Sequence, residues 1–126
     1  MSGNPGERWM AIIRRDTLQE FASAFTDDVE LALSTAEDPI VGPPAVRHFF
    51  GIIRTMYDSI AFVHETTNGK RTYLEWEGEF LGEPVSGVTV LAYDDEGLIR
   101  AVQLYHKPFQ QVVAFAAGLS RRLWAQ

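Results

Sequence analysis

Of the 17 acidic residues and three histidines in this chain, which has no cysteine, few stand where acid–base chemistry is expected. Asp38, within Glu37-Asp38-Pro39, is the first candidate. At the rim of an apolar cavity a carboxylate has its pKa raised by desolvation, which suits a general base near neutral pH. Asp before Pro is also a plain turn former, and no partner for the acid–base role is identifiable. His106 is the second candidate, since imidazole titrates near working pH and can act as acid, base or hydrogen-bond donor. Its plainer reading is a partly exposed strand-end histidine beside Lys107-Pro108. His48, next to Phe49-Phe50, and His64, next to Val63, read as structural or surface residues. Three histidines so placed, without Cys or a His-x-x-x-His pair, make a poor metal set, so neither metal nor cofactor is expected. Gly-x-Ser-x-Gly, the dinucleotide fingerprint and the phosphate loop are all missing from the sequence. Trp76, Tyr57, Tyr73 and Tyr93 can line a pocket for a ring-bearing ligand or simply fill the core.

Composition narrows the field of partners. The 126 residues carry a net charge of −6, with 46% hydrophobic and 22% charged residues. That is the make-up of one globular domain able to bury a core. An isoelectric point near 4.9 argues against nucleic acid, whose phosphates demand a basic face. The eleven Lys and Arg are scattered, and Arg14-Arg15 and Arg121-Arg122 are no more than doublets. No run of about 18 apolar residues suggests a membrane span, and the polar, Gly/Pro-punctuated start Met1–Gly6 reads as a loose leader rather than a signal peptide. A cytoplasmic location is the resulting expectation.

The elements that must position these residues follow from periodicity. Glu7–Arg15 reads as a short helix with Trp9, Ile12 and Ile13 on one side. Asp16 with Gln19, or Thr17 with Glu20, makes a capping box for a second helix carrying Leu18, Phe21, Ala22 and Phe25. Val29–Leu33 alternates as a strand. Thr35–Pro44 is a turn-rich connection, and a third helix starts near Pro43 or Pro44 with the stripe Val46, Phe49, Phe50, Ile53 and Met56 or Tyr57. After Asp58 the period becomes two. Ser59–Thr67 and Arg71–Leu81 read as strands joined by an Asn68-Gly69 turn, and Gly82-Glu83-Pro84 leads into a long hairpin over Val85–His106. That hairpin turns at Asp94-Asp95-Glu96-Gly97, where Gly97 can supply a positive φ. Phe109–Trp124 reads as a last amphipathic helix. On Leu74–Phe80, the residues Leu74, Trp76, Gly78 and Phe80 share one face and Glu75, Glu77 and Glu79 the other. Gly78 marks a bend. Helices followed by an antiparallel meander are an α+β order, and a bent sheet closed by helices leaves a cone with a cavity.

In this order of elements the chain resembles the nuclear transport factor 2-like superfamily, the cone-shaped α+β fold of SnoaL-like cyclases and ketosteroid isomerases. The residues carrying the likeness are Phe25-Thr26-Asp27-Asp28-Val29, Glu37-Asp38-Pro39, Gly42 with Ala45–Phe50, and Val88–Tyr105. The resemblance implies that Asp38 matches the isomerases' general base, which lies in a Glu-Asp-Pro turn. It also implies departures from them. Their oxyanion-hole Asp falls on Thr89, their Tyr falls near Arg8 or Trp9, and an ungapped match puts the base near Ala32 or Leu33. Steroid isomerisation itself is therefore not expected.

The same resemblance turns Thr89, Leu91 and Tyr93 inward, opposite Val102, Leu104 and His106, with Trp76 completing the wall. Val88, Val90, Gln103 and Tyr105 then lie on an outer face that relatives often use to dimerise. The expectation is a homodimeric pocket protein for a small apolar, cyclic molecule, with isomerase, cyclase or dehydratase chemistry. Asp38 would be the base, His106 the second acid–base group and Thr89 a hydrogen bond to a substrate oxygen, with Trp76, Tyr57, Tyr93, Leu104 and Val102 contacting the substrate. The competing expectation is a non-catalytic binding or assembly module. An enzyme of this kind needs an open cavity of roughly 300 Å3 or more with converging polar groups, whereas a plugged cavity favours the module.

Overall fold

The computed structural model describes residues 5–33, 37–80 and 82–107, with Ala117, Leu119, Arg121 and Arg122. Helix α1 (Pro5–Ile13) and the single-turn α2 (Leu18–Ala22) precede strand β1 (Phe25–Leu33) and the short β2 (Ile40–Val41). Helix α3 (Pro43–Ile53) leads into β3 (Tyr57–Asn68), β4 (Arg71–Phe80), β5 (Glu83–Tyr93) and β6 (Ile99–Lys107). Together these make an α+β fold on a six-stranded sheet ordered β2-β1-β6-β5-β4-β3. All neighbours are antiparallel except β1 and β6.

Local chemistry explains most boundaries. Of the two capping boxes, Thr17 with Glu20 forms: the Thr17 hydroxyl accepts from the Glu20 amide at 3.1 Å and donates to the Glu20 carboxylate at 3.1 Å. Phe25 leaves the helical stripe to open β1, where its ring stacks on Phe21 at 4.6 Å. Pro43 enters α3 behind Gly42, which adopts φ +90°. The long hairpin turns on Gly97 at φ +85°, as its sequence implies. The β3–β4 turn is displaced by one residue from the expected Asn68-Gly69. Asn68 pairs with Arg71, so Gly69 and Lys70 form the loop, with Gly69 at φ +61°. Glycine at the first loop position suits a primed hairpin turn. Pro84, expected in a turn, lies within β5, and Pro5 and Gly6, expected to be loose, open α1. The expected Phe109–Trp124 helix lies almost wholly outside the described residues. Of its stripe, Leu119 is buried in the core.

The strand faces follow the expected alternation. On β4, Leu74, Trp76 and Phe80 are buried while Tyr73, Glu77 and Glu79 are exposed. Across the sheet, Thr72, Leu91, Val102 and Leu31 form one inner row, and Leu74, Thr89, Leu104 and Leu33 the next. These rows meet Val46, Phe49 and Phe50 of α3 and Trp9 of α1, which is edge-on to Phe50 at 5.3 Å. The β3–β4 register slips twice, between Tyr57 and Ser59 and between Phe62 and His64. Extra residues of this kind bend a strand and increase its twist. Gly78 sits at the first slip, where a Cβ would lie 2.1 Å from the Ser59 carbonyl oxygen.

Candidate functional site

The next inner row toward the sheet end is Phe62, Trp76, Gly87 and His106. Gly87 leaves a vacancy between two large rings. A Cβ there would stand 2.5 Å from Trp76 Cζ2 and 2.1 Å from the Tyr105 carbonyl oxygen. Across that vacancy Trp76 meets His106 edge-on, with ring centroids 5.3 Å apart. Tyr57, first residue of β3, is carried inward by the bulge that follows it. Its hydroxyl reaches over β4 and β5 to form a hydrogen bond with Nε2 of His106. Edge contacts with Trp76 and a tilted contact with Phe80, each at 5.8 Å, hold the Tyr57 ring in place.

These side chains face a cavity of about 230 Å3 between the sheet and helices α1 and α3. Trp76, Leu104 and Thr89 line its sheet side, with Tyr57 and His106 at one end of that wall. Trp9, Ile13, Phe50 and Ile53 roof it, and Arg14, Arg54, Ser59 and Ile60 stand at its exposed edge. The volume falls below the roughly 300 Å3 expected above for an enzyme of this kind, although the cavity is open at one side and not plugged by side chains. It still exceeds the about 150 Å3 of a sealed apolar cavity that holds benzene, so one or two rings fit within it.

The electrostatics of the pair follow from burial. Desolvation lowers the His106 pKa from 6.5 to about 4 and raises that of the Tyr57 phenol, so both are neutral at neutral pH. Because the pair is neutral, its hydrogen bond can run in either direction. With the imidazole proton on Nδ1, Tyr57 donates to Nε2; with the proton on Nε2, the imidazole donates to the phenol oxygen. Thr89, 3% exposed, adds a hydroxyl to the same wall.

Five of the eight candidate residues come together here: His106, Thr89, Trp76, Tyr57 and Leu104. Three do not. Asp38 is exposed in the turn before β2 and does not line the cavity. Its Asp-Pro context works as a turn. Val102 and Tyr93 lie on the inner face but nearer the β5–β6 turn, where core side chains fill the space. Val102 is fully buried there and Tyr93 packs at the core's edge. His48 and His64 are exposed, and among the described residues no group of His, Cys, Asp or Glu could hold a metal ion. Gly87, Arg14 and Arg54 were not singled out from the sequence. A signal for Gly87 existed, since a glycine inside a strand marks a close approach.

The fold and its cavity define a class of shape: the cone-like α+β fold of nuclear transport factor 2-like and ketosteroid isomerase-like proteins. A steroid delta-isomerase from Pseudomonas aeruginosa superposes with a TM-score of 0.83 at 21% identity, covering 94% of this chain and 88% of that one. An uncharacterised bacterial protein with a cystatin-like fold from Silicibacter pomeroyi gives 0.83 at 17% identity, covering 94% and 84%. A nuclear transport factor 2-like protein of unknown function from Burkholderia xenovorans gives 0.66 at 15% identity, covering 82% and 80%. At these identities the likeness is one of fold. No protein-family model matches the sequence, and a comparison with curated proteins gives no match. Among the described residues no helix is long and apolar enough to cross a membrane.

Proposed function

We propose that this chain binds a small cyclic molecule in its cone and moves a proton on it, without a cofactor, through Tyr57 and His106. The observation that carries the reading is the Tyr57–His106 hydrogen bond on the cavity wall. Among the described residues no carboxylate lines that wall, and the acid–base work is assigned to this pair. The phenol cannot lose its proton outright, because burial raises its pKa. It can relay one. Tyr57 takes a proton from an acidified C–H of the substrate as its own proton passes to Nε2 of His106. Tyr57 stays neutral, the imidazole becomes cationic, and the substrate oxygen takes the negative charge, with the Thr89 hydroxyl donating to it. Reversal returns the proton to carbon, at the same atom or at a conjugated one. An imidazole with a pKa near 4 is a weak base, which limits the reaction to C–H groups beside a carbonyl and further activated by a ring or second carbonyl.

β-Tetralone, a bicyclic ketone of this kind, is a suitable probe. The protein should accelerate exchange of its activated protons in heavy water, followed by proton NMR. Tyr57→Phe and His106→Gln should each slow that exchange by at least about a hundredfold, in the range general acid–base groups contribute. Wild-type protein that exchanges the ketone no faster than buffer would exclude the catalytic reading and leave the binding module.

For the outer sheet face the proposal is a homodimer. Support comes from Tyr105 and Tyr73, 48% and 39% exposed on the outer face, with Val88 directly opposite Tyr105. Exposed apolar surface of this sort marks interaction sites. Sedimentation at micromolar concentration checks it, and a species of 14.2 kDa would contradict it.

A further inference from the structure

The cavity wall carries a charge asymmetry that the proton relay does not use. The chain holds 17 acidic and 11 basic residues, yet among the described residues the wall has two arginines, Arg14 and Arg54, and no Asp or Glu. Arg14 follows the last residue of α1, and Arg54 caps α3. Both are exposed, whereas Trp9, Phe50, Trp76 and Leu104 on the same wall are buried. The cations therefore stand at the open end and the rings at the closed end.

The neighbouring arginines are already engaged. Arg15 donates to the Glu20 carbonyl at 2.8 Å and to Ser23 Oγ at 3.1 Å, and Arg47 donates to the Asp16 carbonyl at 2.8 Å. Among the described residues, the guanidinium groups of Arg14 and Arg54 make no ion pair or hydrogen bond. Glu7 and Glu65 line the adjoining surface depression, which shares Met10, Arg14 and Phe62 with the cavity, and neither of them enters the cavity wall. A helix C-terminus favours a cation, which accounts for an arginine at each of these ends. It does not account for the absence of acids among the described residues of the wall.

We infer that the cavity receives a small cyclic carboxylic acid, its one or two rings among Trp9, Phe50 and Trp76 and its carboxylate at the mouth beside Arg14 and Arg54. This rests on the reading of the cone as a ligand pocket. A phosphate fits less well. Dense anions are held at helix N-termini and glycine-rich loops, whereas α1 and α3 both end here, and their carbonyl ends oppose a doubly charged anion more strongly than a singly charged one. A single negative charge shared by two guanidinium groups suits a carboxylate.

Two near-isosteric probes separate the charge from the pocket: β-naphthoic acid and β-naphthamide, titrated calorimetrically at low salt. The acid should bind about tenfold or more tightly than the amide. That advantage should shrink as salt is raised. It should vanish in the double variant Arg14→Gln/Arg54→Gln and persist in Arg14→Lys/Arg54→Lys, with amide affinity unchanged in both. A purely helix-stabilising role would move thermal stability and leave the acid-to-amide ratio intact. Equal binding of acid and amide by the wild type would overturn the carboxylate inference while the pocket reading stands. Binding of neither would overturn both.

Discussion

Gly87→Ala should destabilise the protein by about 2–3 kcal/mol, the upper part of the range for overpacking a filled interior. The added methyl meets the Tyr105 carbonyl oxygen at 2.1 Å and the Trp76 ring at 2.5 Å. Backbone cannot rotate aside as the end of a flexible side chain can, so β5 and β6 must part or Trp76 must leave its position. Either movement opens the row that carries Trp76 and His106, and Tyr57 then loses its partner across the vacancy. Gly51→Ala provides the control. Gly51 is exposed in α3 with nothing within 4 Å of an added Cβ, so the change should be stabilising, by about 0.5–1 kcal/mol from helix propensity. Urea unfolding of both variants measures the contrast. A Gly87→Ala variant within about 0.5 kcal/mol of wild type would show that the vacancy is not needed.

Acid should weaken the wild-type protein more than it weakens His106→Gln. The folded-state pKa of His106 is about 4, below its ordinary value of 6.5. Between those values the unfolded chain binds a proton that the folded one refuses, so stability falls as pH falls. The contribution is fully present above about pH 7 and is lost progressively toward pH 4. At 1.36 kcal/mol per pKa unit, the loss attributable to this residue reaches at most about 3 kcal/mol. The two proteins differ only at residue 106, so the difference between wild type and His106→Gln isolates the imidazole. That difference, from unfolding curves across the range, should shift against the wild type as pH drops. A constant difference would mean that His106 is not desolvated.

Much of this architecture was legible in local pattern. Alternation on β4, the stripe Val46, Phe49, Phe50 and Ile53 of α3, and Gly97 each depend on near neighbours in sequence, and each came out as read. The cone likewise follows from helices preceding a meander. What the pattern could not convey was closure across the sheet. Tyr57 belongs to the stripe of α3 by spacing, yet it opens β3, and a bulge at the next residue turns it inward. β3 and β6 are separated in the sheet by two strands, so only the curvature of the assembled sheet brings Tyr57 to His106. Gly87 carried a readable signal of the same kind as Gly78. Asp38 reads from the sequence both as a turn former and as a motif-matched base, and its exposed place before β2 keeps it off the cavity wall. Arg14 and Arg54 follow helix ends, where an arginine needs no further explanation, and their relation to the cavity is purely tertiary.

The claim at the centre is that His106, made a weak base by burial, receives the substrate's proton through Tyr57. The pH profile of β-tetralone exchange, at ketone concentrations low enough to report the free protein, measures it directly. The rate should stay level from about pH 8 to 5 and fall with a midpoint near 4 as the imidazole takes up a proton from solvent. The protein-dependent rate should be lost at every pH in His106→Gln. A midpoint near the ordinary histidine value of 6.5, or exchange undiminished in His106→Gln, would contradict it.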